Sequence, residues 1–469
     1  MEPISTETNL IIVEIQGDTL TPITVYQRLQ GKKKFLLESS HKHENSGRFS
    51  FIGAEPFKEL IGYGDQSQIV TKDRVEAITE KPLEVLKGMM ASRNITAEPL
   101  FPFVGGAVGY AGYDAIRQYE NIGNVPKDEM NVPDVHFLFF EVIVVFDHLE
   151  QKIYLVGAPH VNGSTKDELM EKIQTIQNEI QRNSETVEKE AKLTAFQASI
   201  AKHEFINHVA KAKKYIEEGD IFQVVLSQRL KAKIEGDPFS LYRKLRIKNP
   251  SPYMYYFDFS DYYIAGVSPE SLIKVKGKTV ITNPIAGTRP RGKDVEEDQY
   301  LAEDLLSDEK ELAEHKMLVD LGRNDLGRVC EFGSVQLKKY LEIEKFKHVI
   351  HLVSEVEGQL KDETSPIDAL ISTLPAGTVS GAPKIRAMEI INEMENCKRG
   401  IYSGAIGYVS VNGNLDFALA IRTMVIKGNE AFIQAGAGIV YDSIPEKEYE
   451  ETLHKLKMFL EENVDDFIN

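Results

Sequence analysis

The spacing of hairpin signals in the second half of this chain constrains its fold most tightly. Residues 401–411 and 415–426 are apolar, β-branched runs joined through Asn412-Gly413, a dipeptide suited to the positive φ of a tight hairpin turn. Residues 253–259 and 263–267 form a second such pair, and residues 432–440 read as a strand of small residues. Strands that arrive as hairpins pair antiparallel and need no crossover helix between them. The expected class is therefore α+β, with antiparallel sheets in the core and helices outside.

Helical patterns fall at residues 166–182, 204–219, 238–247, 385–394 and 446–463, with one long helix at 295–321 carrying acids on one face. Residues 1–160 read as an N-terminal region of strands and short helices. Residues 161–200 read as a polar connection or solvated helix, and residues 201–469 as the better patterned catalytic half. The chain has 469 residues, 42% hydrophobic and 27% charged, the balance of an ordinary soluble globular protein. The first twenty residues scatter acids among short apolar runs, so no leader is expected. The longest apolar runs, such as Val142-Ile143-Val144-Val145-Phe146, are strand-sized, so no membrane span is expected. The cysteines Cys330 and Cys397 provide no disulfide framework, which fits a reduced, cytoplasmic protein. A net charge of -17 argues against nucleic-acid binding. An anionic ligand would have to be neutralised locally.

Several segments suit that task. Leu374-Pro375-Ala376-Gly377-Thr378-Val379-Ser380-Gly381-Ala382-Pro383-Lys384 leads into a helix, with Pro383 placed to be its first residue. Backbone N–H groups at a helix N-terminus attract anions, although such a loop also serves as a plain tight turn. Pro284-Ile285-Ala286-Gly287-Thr288-Arg289 and Gln434-Ala435-Gly436-Ala437-Gly438 offer further backbone cradles. Glu311 and Glu314 share a helix face, and Glu448 and Glu451 repeat the spacing. Such pairs are common on solvated faces, but hard carboxylate oxygens also suit Mg²⁺. His351 lies in an apolar run, where a hydrogen-bonded core histidine is the ordinary alternative. Arg422 falls within a strand pattern at 417–425, an expensive place for a charge without a partner or ligand.

These segments, with Glu314-His315-Lys316-Met317-Leu318-Val319-Asp320-Leu321 and Arg323-Asn324-Asp325, resemble the chorismate-utilising enzymes. The resemblance is closest to the large subunits (component I) of anthranilate synthases, extends over nearly the whole chain, and implies the family fold: two α/β subdomains with antiparallel sheets packed in the core, helices outside and the active site in the cleft. It implies a Mg²⁺-dependent reaction on chorismate, a dicarboxylate. Ammonia adds at C2 as the C4 hydroxyl leaves; pyruvate is then eliminated and the ring becomes aromatic. Carried onto this sequence, the family roles assign Glu314 and Glu451 to Mg²⁺, with Glu311 and Glu448 holding its waters. Glu270 would act as general acid and His351 in the later proton handling. Thr378, Gly287 and Thr288 would hold the ring carboxylate side. Tyr402, Arg422, Gly436 and Gly438 would hold the enolpyruvyl group, with Lys455 a carboxylate partner.

Two positions separate the chain from sister families within this resemblance. Ala286 stands where aminodeoxychorismate synthases carry a nucleophilic lysine. Gln223 stands where isochorismate and salicylate synthases carry a lysine base. Both departures point to ammonia as nucleophile and to anthranilate as product, leaving an aminodeoxychorismate synthase component I or a non-catalytic tryptophan- or chorismate-binding regulatory protein as the alternatives. Leu36-Leu37-Glu38-Ser39 and Asn249-Pro250-Ser251-Pro252-Tyr253-Met254 are similar to the family's tryptophan feedback segments. Glu38 would pair with the effector amino group, beside Ser39 and a pocket of Pro252, Tyr253 and Met254. Neither cysteine lies in a glutaminase-like context, so ammonia from glutamine would come from a glutamine amidotransferase small subunit.

Overall fold

The antiparallel hairpins assemble into two large sheets, each built from both halves of the chain. The structure is a computed structural model and describes residues 10–40, 47–91, 100–159, 162–182, 189–345 and 349–460. In the first sheet, strand Phe35–Glu38 pairs with Tyr253–Asp258, and the order continues through Tyr262–Ser268, Thr423–Lys427 and Glu430–Ile439 to the long strand Gln223–Glu235. In the second, Gly106–Ala111 pairs with Ala405–Ser410, and the order runs through Leu415–Leu419, Ser271–Lys276 and Thr279–Thr282 to Val349–Gln359 and Ile285–Pro290.

Alternating side chains put one face of each sheet into a shared aromatic interior. Phe35, Tyr255 and Phe257 of the first sheet meet Tyr110, Phe140 and Tyr408 of the second there, all buried. The outer face of the first sheet packs under helices Pro22–Arg28, Lys166–Gln181 and Pro238–Lys248. The outer face of the second packs under Pro82–Met90, Glu309–Val329 and Pro366–Thr373. Helices Lys202–Glu217, Lys384–Met394 and Pro445–Leu456 cover the end of the first sheet where strands Gln223–Glu235 and Glu430–Ile439 meet.

Several expectations change in detail. The segment 161–200 is not simply a solvated connection: its helix buries Leu169, Ile173 and Ile180, and residues 192–193 and 197–198 pair with strand Gln223–Glu235. The single long helix at 295–321 is two, Val295–Ser307 and Glu309–Val329. The break is Asp308, whose extended backbone ends the first helix and whose carboxylate accepts the N–H groups of Lys310 and Glu311 to cap the second. The strand pattern at 415–426 is also two strands, Leu415–Leu419 and Thr423–Lys427, which lie in different sheets. Apolar periodicity continues through the corner because both arms are buried, so pattern alone does not reveal the change of sheet. Pro383 is the N-cap of helix Lys384–Met394 rather than its first residue. The last helix ends at Leu456, and the expected continuation beyond 460 lies outside the described residues.

Asp308 also accepts a 2.8 Å bond from Arg289 Nη2, so it locks the acidic helix to the Pro284–Arg289 segment. Asp308→Ala is expected to lower stability by about 1–2 kcal/mol, the worth of a helix cap plus a partly exposed ion pair, read as a lower urea midpoint.

Candidate active site

The site forms where the chain changes sheets. Strands Tyr262–Ser268 and Thr423–Lys427 are neighbours in the first sheet, and their continuations Ser271–Lys276 and Leu415–Leu419 are neighbours in the second. Both chains therefore turn the same corner side by side. Ser268 Oγ donates to Leu419 O (2.7 Å), Leu419 N to Glu270 O (3.0 Å) and Val267 N to Arg422 O (3.1 Å). Glu270 and Arg422 sit on the corner itself. Arg422 has φ of 50°, so it occupies a left-handed turn rather than the strand that its sequence context suggested.

Glu270 is half-buried, and its Oε1 accepts a hydrogen bond from Thr378 Oγ1 at 2.8 Å. Burial pushes its carboxyl up to about 7, against the opposing pull of the Thr378 bond and the charges of Lys455 and Arg422. Lys455 Nζ donates to Gly436 O (2.9 Å) and pairs with Glu451 (2.8 Å). Tyr402, fully enclosed, lies against the Gly436 backbone. Gln223 Nε2 donates to Glu314 Oε1 (2.9 Å) and would lie 2.7 Å from a Cβ at position 438, so Gly438 is needed for that approach.

Gly381 serves packing. It has φ of 139° and pairs with Val224, and a Cβ there would lie 2.2 Å from Gln223 O. The loop before helix Lys384–Met394 is thus pinned to strand Gln223–Glu235 and presents Thr378 to Glu270.

His351 Nδ1 lies 3.0 Å from Gly287 O and 3.1 Å from Thr288 Oγ1. A ring nitrogen facing a carbonyl oxygen must carry the proton, which makes Nε2 the acceptor in the neutral tautomer. Burial lowers the His351 pKa and the Arg422 charge lowers it further, while the Gly287 contact raises it. Arg289 reaches Glu311 at 3.5 Å.

The four sequence-predicted glutamates lie in two pairs, on helices Glu309–Val329 and Pro445–Leu456. Burial raises the carboxyl pKa of Glu311, and the adjacent Glu314 raises it further. Burial likewise raises Glu448; Ser443 opposes this, Glu451 adds to it, and Lys310 of the other helix is near enough to count. Among the described residues, no three His, Cys, Asp or Glu side chains converge closely enough to enclose a metal ion. Mg²⁺ does not require such a cage: it takes one or two carboxylates and completes its shell with water and substrate. Glu311 and Glu448, which hold their protons more tightly than free carboxyls, are hard oxygen donors that a cation would relieve, so the residues fit the ion.

The expected effector residues lie apart from this cluster and on both faces of the first sheet. Glu38 and Met254 face the helices, where Glu38 Oε2 accepts from Tyr242 (2.6 Å) and Oε1 from Arg246 (2.9 Å). Tyr253 points the other way, its hydroxyl donating to Asp416 at 2.9 Å. Ser39 Oγ is buried with no hydrogen-bond partner among the described residues, and Pro252 is half-buried. One group escaped sequence reasoning entirely: Arg399 and Glu395 form a buried ion pair behind Thr378 and Tyr402. In sequence, Lys398-Arg399-Gly400 looks like a charged surface turn, and nothing local marks it otherwise.

A model of the chorismate binding enzyme family matches residues 32–461. The chain therefore belongs to the chorismate-binding enzymes. Its curated relatives place it more narrowly, with the component 1 proteins of anthranilate synthase: the one from Acetivibrio thermocellus is 48% identical, covering 96% of this chain and 94% of its own length, and that from Lactococcus lactis is 47% identical, covering 96% and 98%. The crystal structure of anthranilate synthase component I from Streptococcus pneumoniae, 44% identical, superposes with a TM-score of 0.82, covering 95% of this chain and 98% of that one. The menaquinone-specific isochorismate synthase of Escherichia coli, 19% identical, shares the fold with a TM-score of 0.72, covering 98% of this chain and 96% of its own.

The raised Glu270 carboxyl has a consequence for stability. The folded state holds this proton more tightly than the unfolded chain does. The resulting stabilisation is complete below the ordinary glutamate range and is lost as pH rises through about 7. Glu270→Gln removes that dependence. It is expected to match the parent near pH 4 and to exceed it by about 2 kcal/mol at pH 8, after discounting for partial exposure, as read from urea midpoints across pH.

Proposed function

We propose that this chain is the large subunit of an anthranilate synthase, converting chorismate and ammonia to anthranilate and pyruvate in tryptophan biosynthesis. The observation that carries the reading is Glu270: a carboxyl near neutrality, held by Thr378 and within electrostatic reach of Arg422 and Lys455. A carboxylic acid that keeps its proton at neutral pH can give it to a departing hydroxyl, which leaves as water while ammonia bonds to C2. His351, neutral with Nε2 as acceptor, suits removal of the C2 proton as the enolpyruvyl C–O bond breaks. The departing enolpyruvate gains a proton and becomes pyruvate. Arg422, Lys455 and Tyr402 face the substrate's carboxylates and enolpyruvyl arm, and Thr378, Gly287 and Thr288 the ring carboxylate.

Glu314 and Glu451 would hold Mg²⁺, with Glu311 and Glu448 on its waters. The bound ion would neutralise and orient a substrate carboxylate. Burial pushes the Cys330 thiol up to about 11 and also raises Cys397, so neither resembles a poised glutaminase nucleophile. That supports a separate glutamine amidotransferase small subunit as the ammonia source. Among the described residues, no helix is long and apolar enough to cross a membrane, and a cytoplasmic location remains part of the proposal.

Tryptophan feedback is the regulatory part of the same proposal. Ser39, whose hydroxyl has no hydrogen-bond partner among the described residues, Pro252, Tyr253 and Met254 would line an effector pocket that wraps the ends of strands Phe35–Glu38 and Tyr253–Asp258, where both faces of the sheet are reached, and an effector ammonium at Glu38 would share that carboxylate with Arg246. Tyr255, on the same strand, hydrogen-bonds Thr423 Oγ1 at 2.7 Å, one residue from Arg422, which offers a direct mechanical route to the site.

The test is anthranilate fluorescence from the purified chain with chorismate, Mg²⁺ and ammonium, with and without tryptophan. Anthranilate that tryptophan suppresses supports the reading; accumulation of an aminodeoxychorismate or an isochorismate overturns it. Glu314→Gln is expected to reduce turnover by at least about 100-fold with an unchanged urea midpoint, because a metal ligand is lost at little cost in volume. Full activity in that variant would remove the metal assignment. Ser39→Phe is expected to raise the inhibitory tryptophan concentration by about tenfold or more while largely sparing turnover, since it overfills the pocket. An unchanged inhibition curve would discard the effector site.

A further inference from the structure

Behind the reacting groups lies Arg399, 1% exposed and first among the fully buried side chains by volume. A guanidinium has five N–H donors in a fixed plane, and here each has an acceptor. Nε meets Glu395 Oε2 (2.8 Å); Nη2 meets Glu395 Oε1 (2.6 Å) and Val225 O (2.7 Å); Nη1 meets Val379 O (2.7 Å) and Ser403 Oγ (3.4 Å). Glu395 Oε1 also accepts from the backbone N and the hydroxyl of Ser227, both at 2.8 Å. Tyr113 and Tyr402 lie near the guanidinium at 4.8 and 5.6 Å from their ring centroids.

The acceptors belong to three separate pieces of the site. Val379 follows Thr378, Ser403 follows Tyr402, and Val225 lies two residues beyond Gln223. Stability alone is a weak reason for such a pair, since well-packed apolar side chains often replace a buried ion pair at no loss. Geometry is a stronger one, because lysine has three donors and no planar fork, and cannot satisfy both Glu395 oxygens, Val225 O, Val379 O and Ser403 Oγ at once.

We propose that Arg399, fixed by Glu395, is a positioning residue that sets the Thr378–Glu270 hydrogen bond by anchoring the Val379 carbonyl to strand Gln223–Glu235 and to the turn that bears Tyr402. The inference rests on Glu270 and Thr378 being reacting-site residues, as argued above. Arg399 acts through Thr378. The groups facing Glu270 are Thr378 from the loop, Lys455 from helix Pro445–Leu456 and Arg422 from the corner, and of these only the Thr378 segment is bonded to Arg399.

The experiment is kcat/KM for anthranilate formation against pH in the full chain, with ammonium, for the parent, Thr378→Val, Arg399→Lys and the double variant. Losing the Thr378 bond lets Glu270 keep its proton to higher pH, so the alkaline limb set by Glu270 moves up, by about one unit. Arg399→Lys is expected to move it in the same direction, and the double variant no further than Thr378→Val alone. If Arg399→Lys does not fold, the isosteric Glu395→Gln is read in the same way. An active variant whose rate falls while its limb stays at the parent position overturns the inference and leaves Arg399 a packing residue. A parent that forms no anthranilate is a different failure, that of the reaction assignment.

Discussion

The site depends on one constraint, the paired corner at which two neighbouring strands leave the first sheet for the second together. Two backbone bonds and the Ser268 hydroxyl hold those chains in step, and the residues between them are Glu270 on one and Arg422 on the other. A corner in one strand alone would open a gap in both ladders. A corner in two keeps most backbone groups paired and leaves a few residues outside either sheet, free to face a ligand. Arg422 takes its left-handed conformation there, where a regular strand would have buried its charge.

Around the corner the charges are arranged as opposites held at short range. Lys455 reaches Glu451 and Arg289 reaches Glu311, while the neutral amide of Gln223 donates to Glu314, so these three glutamates are each held by a donor. The half-burial that raises Glu270 also raises Glu311 and Glu448 and lowers His351. One environment thus favours a protonated acid, carboxylates that gain from a cation, and a neutral imidazole. A solvated site would leave the acid ionised at neutral pH and the carboxylates with less to gain from a cation.

Much of this was legible in the sequence, and the misses share a cause. Asn412-Gly413 announced its hairpin because turn chemistry is local. The glutamate pairs were visible because helical spacing is local, and Gly436 because the Leu226 carbonyl passes close to where a Cβ would sit. The corner at 419–423 was missed because both arms are apolar, and periodicity does not record which sheet a strand joins. The break at Asp308 was missed because an aspartate amid other acids reads as one more charge on a helix face. Arg399 was missed because its partners, Val225 and Val379, are distant in sequence. The motif resemblance located Glu270, His351 and Thr378; the structure adds the hydrogen bonds and burial that give those residues their protonation states.

Net charge poses the last problem. The chain carries -17, and its family acts on a dicarboxylate. Long-range attraction cannot favour such a ligand, and beyond roughly 10 Å the field is screened by physiological salt in any case. Selectivity must come from the few cations within contact distance. Arg422 is the one set on the corner, and burial lowers its pKa while Glu270 opposes that shift. An arginine that is partly desolvated and bent out of its strand gains from a carboxylate partner what it lost on leaving water. On the proposed function, contact rather than net charge would do the selecting: an anion whose carboxylates reach Arg422 and Lys455, with a divalent cation at the glutamates, would offset locally the charge that the rest of the chain opposes.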